Sequence, residues 1–115
     1  MAPKFETFEA FFPYYLAEHA NPTCRRLHYI GTILATSIFV GAVISQTWWL
    51  LIFYPLIGYG FAWVGHFKFE RNRPATFDYP RWSLMGDYKM LYLFLTGRLA
   101  PILRDAIVKY GKIAH

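Results

Sequence analysis

The sequence predicts an all-α integral membrane helical bundle: one transmembrane helical hairpin with N- and C-terminal amphipathic, interfacial helices, forming a single membrane domain over residues 1–115. Three observations predict it. Of the 115 residues, 56% are apolar and 21% aromatic, more than so short a domain can bury in its own interior. No Lys or Arg occurs between Leu27 and Gly65. That run is interrupted by the polar Ser45-Gln46-Thr47, which leaves two apolar stretches, each near the ~20 residues that cross a bilayer.

Taken in order, Phe5, Phe8, Phe11, Phe12, Tyr15, Leu16 and His19 recur at three- and four-residue steps, a helical stripe. Glu6, Glu9 and Glu18 fall largely off it, and Pro13 is expected to kink or divide the helix. The stripe is too short to span and suits the membrane interface, packing against the rest of the protein, or both. Asn21-Pro22 supplies an N-cap and a first-turn proline for the next helix. That helix carries Arg25, Arg26 and His28 in its opening turns and makes a first span over about residues 29–47. Cys24, the single cysteine, forms no internal disulfide and reads as a small helix-packing residue. Trp48-Trp49 is the aromatic pair expected at an interface and opens a second span, about residues 48–67.

After the second span a Pro-punctuated loop runs from Arg73-Pro74 to Tyr79-Pro80, too irregular to lie bare in lipid. Ser83 is the expected N-cap of a helix containing Asp87, Met90, Leu91 and Phe94, broken near Gly97 and resumed after Pro101. This tail is amphipathic, with Arg98, Arg104, Lys109 and Lys112 toward water or anionic headgroups. His115, at the chain end, is expected to be solvated.

The formal net charge is +5, yet the cations flank the apolar runs as juxtamembrane charges do, rather than forming one basic face, which argues against a nucleic-acid partner. The same distribution puts both termini on the cytoplasmic side, in a bacterial inner membrane or the endoplasmic reticulum, with Ser45 to Thr47 outside. No secretory signal pattern opens the chain. Association of copies would enlarge the apolar core.

Counted outward from Gln46, His28 and His66 lie at nearly equal depth, roughly 27 to 30 Å along each helix. Gly31 and Ala35 follow His28, and Gly58, Ala62 and Gly65 approach His66, so small residues favour close pairing of the two spans. The preceding helix brings His19 to the same region. Imidazole suits zinc, copper and iron, and two histidines with a carboxylate leave open positions on an iron(II) oxygenase site. Glu70, four residues from His66 on one helix face, and Asp87 are the available carboxylates. No spacing matches a specific metal motif, and histidines hydrogen-bonded at an interface are the plain alternative. Arg71 and Arg73 are juxtamembrane anchors by default.

Tyr15-x-x-x-His19, Asn21, Arg26-Leu27-His28-Tyr29-Ile30-Gly31-Thr32, the segment Gly65-His66-Phe67-Lys68-Phe69-Glu70-Arg71-Asn72-Arg73-Pro74-Ala75-Thr76 and Pro80-x-x-Ser83-x-x-x-Asp87-x-x-Met90 together resemble the family of the fungal 2-hydroxy fatty acid dioxygenase. The likeness runs from Phe5 to Met90. It implies a multi-helix membrane protein that uses iron(II) and dioxygen to shorten a 2-hydroxy fatty acid by one carbon, in sphingoid-base breakdown. The iron ligands would be His19, His28 and His66. Glu70 and Asp87 are the expected catalytic carboxylates, completing the ligand shell or orienting a ligand. Arg26, Arg71, Asn72 and Arg73 are the expected substrate contacts, the arginines neutralising a carboxylate. The fungal enzyme is longer and has more spans. Two other readings compete, another metal-dependent lipid enzyme such as a hydrolase and a non-catalytic membrane scaffold. Metal content and oxygen consumption separate them.

Overall fold

The computed structural model describes residues 4–111, so Lys112 and His115 lie outside the described residues. Helices α1 (Phe8–Ala17), α2 (Pro22–Ser45), α3 (Phe53–Val64), α4 (Pro80–Leu95) and α5 (Leu99–Tyr110) account for most of it, and no strand occurs among the described residues.

Helix α1 starts where the Thr7 hydroxyl accepts from the Ala10 N–H at 3.1 Å. It runs through Pro13 as one continuous helix, so of the two outcomes expected of that proline, a kink or a division, the helix is not divided. The proline removes a single backbone bond, while Phe11, Phe12, Tyr15 and Leu16 on the same helix are buried, each contributing roughly 1.5–3 kcal/mol. They pack with Met90 and Leu93 of α4 and Leu99, Leu103 and Ala106 of α5. The aromatic stripe thus finds its apolar partner inside the protein.

Helix α2 is capped as its sequence predicts: Asn21 Oδ1 accepts from the N–H groups of Thr23 (2.8 Å) and Cys24 (3.2 Å), and Pro22 opens the first turn. It ends at Gln46 in a left-handed conformation (φ 55°). The return leg is a 3₁₀ turn at Trp48–Ile52, then α3, then a π turn at Gly65–Glu70. Pro22–Ser45 (24 residues) and Trp48–Glu70 (23 residues) are each long and apolar enough to cross a membrane. The two legs approach closely at glycines. A Cβ on Gly31 would lie 2.7 Å from Phe61 Cβ, and one on Gly65 would lie 3.2 Å from Cys24 Cα. Cys24 is buried in that contact. The hairpin's outer surface is apolar, with Ile44 78% and Trp49 68% exposed.

Helix α4 begins at Pro80, not at Ser83. Proline at a first helical position has no N–H to leave unpaired, so the helix starts a turn early and Ser83 is carried inside, buried with its hydroxyl unpartnered. After Gly97 (φ 72°) the chain resumes helix at Leu99, before Pro101 rather than after it. Pro101 falls in the first turn, where an N–H has no intrahelical acceptor. Arg98, Arg104 and Lys109 are exposed.

Gly31→Ala should therefore lower the unfolding midpoint of the detergent-solubilised protein, by about 1–3 kcal/mol of overpacking. Gly58→Ala should not, because the nearest atom to its added Cβ is Ala35 Cβ at 3.9 Å. Equal midpoints for the two variants would contradict this packing.

Candidate metal centre

Three segments each contribute a histidine, and in each the local backbone sets the ring. His19 follows the end of α1. Its own N–H turns to Leu16 O at 3.0 Å, leaving Tyr15 O to face His19 Nδ1 at 2.6 Å. In α2, His28 Nδ1 lies 2.9 Å from Cys24 O, one helical turn back. His66 sits in the π turn, and its Nδ1 lies 2.7 Å from Asn72 Oδ1. The chain closes on itself there, with Arg71 left-handed at φ 58° and the Asn72 N–H donating to His66 O at 3.0 Å. The other end of the Asn72 amide donates to Glu18 O at 2.9 Å, which fixes which end faces His66.

Every Nδ1 thus faces an oxygen acceptor, which assigns the proton to Nδ1 and leaves the three Nε2 atoms bare of hydrogen. Those atoms converge. His19 Nε2 lies 3.0 Å from His28 Nε2 and 3.0 Å from His66 Nε2, and one ligand atom from each ring lies within 4.8 Å of the others. The rings are only 1% (His19), 4% (His28) and 2% (His66) exposed. Two bare nitrogens at that distance cannot hydrogen-bond to each other, and their lone pairs repel in a medium without water. A shared cation removes the conflict. Nitrogens 3.0 Å apart suit one transition-metal ion with N–metal distances of ~2.1 Å, and histidine ligands characteristically donate their other N–H to an oxygen acceptor. Burial first, then the charges of His28 and His66, hold His19 well below its ordinary value of 6.5, so its lone pair is available at neutral pH. This group of three histidines could hold a metal ion.

Behind His19 the Tyr15 ring packs at a centroid distance of 4.1 Å, and its hydroxyl donates to Asp87 Oδ1. Gly86 makes room, since a Cβ there would stand 3.1 Å from the Tyr15 ring. Desolvation raises the Asp87 pKa to about 7, against the lowering effect of the Tyr15 hydrogen bond. Asp87 and His28 share a cavity of about 80 Å³ whose apolar walls include Ala35, Gly58 and Ala62. At its wall the Tyr88 hydroxyl meets Thr36 Oγ1 at 2.6 Å and the Tyr54 hydroxyl at 2.7 Å, linking α2, α3 and α4.

The structure brings His19, His28 and His66 together, with Asn72 directly behind His66. Asn72, an expected substrate contact, has both ends of its amide engaged within the protein. Glu70 stands outside the histidine group. Its Oε2 accepts from the Asn21 N–H at 2.6 Å, fastening the start of α2 to the end of the second span. The wider π turn is the reason, because the four-residue spacing that aligns side chains on an α-helix does not hold there. Arg26, Arg71 and Arg73 do not line the cavity at His28. Arg26 lines a separate pocket, Arg71 is exposed, and Arg73 pairs with Asp78 at 3.4 Å and lies over the Phe77 ring at 5.1 Å. Sequence reasoning missed the carbonyls of Tyr15 and Cys24. Each lies four residues before a histidine, the spacing at which a helical carbonyl can reach an imidazole. It also missed that Arg25 Nη1 holds His19 O (2.9 Å) and Ala20 O (2.7 Å).

The class defined by this architecture is a helical protein with a buried three-histidine group at the base of a long apolar hairpin. Residues 5–99 match the family model for 2-hydroxy-palmitic acid dioxygenase Mpo1-like proteins, and the chain belongs to that family. No curated protein matches the chain, and no solved structure does.

If Asn72 holds the His66 tautomer, Asn72→Ala should weaken metal binding by roughly 10- to 100-fold. Asn72→Asp keeps an acceptor at Nδ1 and should lose less. Calorimetric metal titration of the purified protein checks this, and wild-type affinity in the alanine variant would contradict the tautomer assignment.

Proposed function

We propose that this chain is a single membrane domain and an iron(II)-dependent dioxygenase, converting a 2-hydroxy fatty acid and dioxygen to the acid one carbon shorter, carbon dioxide and water. The observation that carries the reading is the convergence of three bare Nε2 atoms in a water-poor interior beside a cavity. Iron held by His19, His28 and His66 would supply dioxygen activation and open positions for substrate oxygens. The family description, a 2-hydroxy-palmitic acid dioxygenase, agrees with that chemistry.

The chain's own residues do the rest. A cavity of about 80 Å³ admits the small polar head of such an acid and not its acyl chain, since sites that enclose a whole drug-sized ligand run to roughly 300–1,000 Å³. Ala35, Gly58 and Ala62 keep water from the reacting end and hold the head beside His28. Asp87 Oδ1 is held by Tyr15, and its carboxylate, with a pKa raised to about 7, is matched to accept the proton of the 2-hydroxyl near neutral pH. Asn72, Tyr15 O and Cys24 O orient the imidazoles. The acyl tail leaves toward lipid, so its length should affect turnover little.

The exposed apolar faces of the hairpin support membrane insertion. So do Trp48 and Trp49 at its turn and the cations at its open end. With both termini cytoplasmic, a cysteine introduced at Gln46 should be labelled only from the outside and one at Lys109 only from the inside. Labelling of both from one side would remove the hairpin topology.

Iron-loaded protein given 2-hydroxypalmitate should yield the acid one carbon shorter under air and none under nitrogen. His28→Ala and His66→Ala should lose both iron and product while remaining folded. No product in air despite confirmed iron occupancy would favour a scaffold, and equal product in both atmospheres a hydrolase-like enzyme.

A further inference from the structure

A second pocket, of about 290 Å³, lies between the start of α2, the end of α4 and the start of α5. It shares no lining residue with the cavity at His28. Its lining includes two cations, Arg25 and Arg26, and the apolar Phe94, Leu99 and Leu103. Tyr29 forms part of the wall. It is 7% exposed, and its hydroxyl makes no hydrogen bond of ordinary length within the protein, a costly state for a buried polar group that the nearby Arg25 guanidinium only partly relieves. Its ring is fixed by stacking on Phe94 at a centroid distance of 4.4 Å, so the hydroxyl cannot swing to solvent without breaking that contact. Helix α5 begins at the same place, and no side chain caps it, so its N–H groups and dipole favour an anion there.

We propose that this pocket binds the phosphate of an anionic membrane lipid, with Arg26, the Tyr29 hydroxyl and the N-terminus of α5 at the phosphate and an acyl chain on Phe94, Leu99 and Leu103. The apolar wall next to the cations favours an amphiphile over a free anion, and two arginines at the opening turns of a spanning helix lie at headgroup depth. Arg25 ties the site to the histidine cluster, because it also holds the carbonyls of His19 and Ala20. The proposal rests on the membrane part of the function proposed above and not on its iron chemistry.

The test uses full-length protein in neutral detergent, titrated separately with dihexanoyl phosphatidic acid, dihexanoyl phosphatidylcholine and inorganic phosphate, with bound stoichiometry read by native mass spectrometry. Phosphatidic acid should bind one to one, about tenfold or more tighter than either comparison ligand. Arg26→Gln should weaken it about tenfold and Tyr29→Phe about threefold to tenfold, the losses expected for a charged and a neutral hydrogen bond. Arg81→Gln, an exposed cation on α4, should leave it unchanged. Equal losses in Arg26→Gln and Arg81→Gln would reduce the effect to general surface charge and overturn the site. Inorganic phosphate binding as tightly as phosphatidic acid would overturn the lipid, and phosphatidylcholine binding as tightly would overturn the anion. Arg26 is exposed, so its variant carries the test even where Tyr29→Phe fails to fold. Because binding is read in detergent, its failure is distinct from failure of the membrane reading, which would appear as protein in the soluble fraction of lysed cells.

Discussion

Three unprotonated imidazole nitrogens, one of them held 3.0 Å from each of the other two, with almost no access to water, are an arrangement that a folded chain does not reach by default. Each ring must be kept from turning its N–H inward, where it would satisfy a neighbour and collapse the group into an ordinary hydrogen-bonded cluster. The chain prevents this three times with three different acceptors, two backbone carbonyls and one side-chain amide. The acceptors are useful only if the segments that carry them stay in register. Much of the remaining polar structure maintains that register. Glu70 and Phe69 O bind Asn21, Asn72 binds Glu18, and Arg25 holds the turn between α1 and α2.

The protein divides its work between two kinds of surface. At the open end of the hairpin, α1, α4 and α5 build an aromatic core in which Phe11, Tyr15, Leu16 and Met90 are at most 1% exposed. That core is packed as a water-soluble domain would be, and it anchors His19 through Tyr15. The hairpin is the reverse. Its inner face is made of glycine, alanine and cysteine so that two helices can touch, and its outer face leaves large apolar side chains uncovered. Were such a pair to lie in hydrocarbon, as proposed above, dispersion between closely approaching backbones, rather than exclusion of water, would hold it. The histidine cluster lies where the two regimes meet.

That junction also explains the polar groups around the cavity. Tyr54, Tyr88 and Thr36 satisfy one another across three helices, which leaves the cavity with hydroxyls in its wall but with their mutual bonds already made. Asp87 is different. One of its oxygens is held by Tyr15, and it lines the cavity beside His28, so the carboxylate most available to a bound molecule comes from α4 and not from the motif that surrounds His66.

The sequence by itself determined the elements and their gross arrangement. Apolar run lengths, the Asn21-Pro22 cap and the Ser45-Gln46-Thr47 break are local signals, and local backbone chemistry decides where helices start and turn. The equal depth of His28 and His66 follows from counting residues along two antiparallel helices, so their meeting was legible too. What only the tertiary structure decided is which side chain serves which neighbour. Glu70 departs from the face of His66 because a π turn, stabilised by contacts distant in sequence, replaces the α-helix there. Asn72 turns inward to His66 because the left-handed Arg71 reverses the chain, and Arg26 lines a second pocket because α4 and α5 close over that side of α2. Ser83 is carried into the core because Pro80 starts its helix early. The amide of Asn72 and the carboxylate of Glu70 are equally polar in sequence, and their roles are set by the direction from which a partner arrives, which depends on packing between segments some 50 residues apart (|i−j| 54 for Asn72 and Glu18, 49 for Glu70 and Asn21).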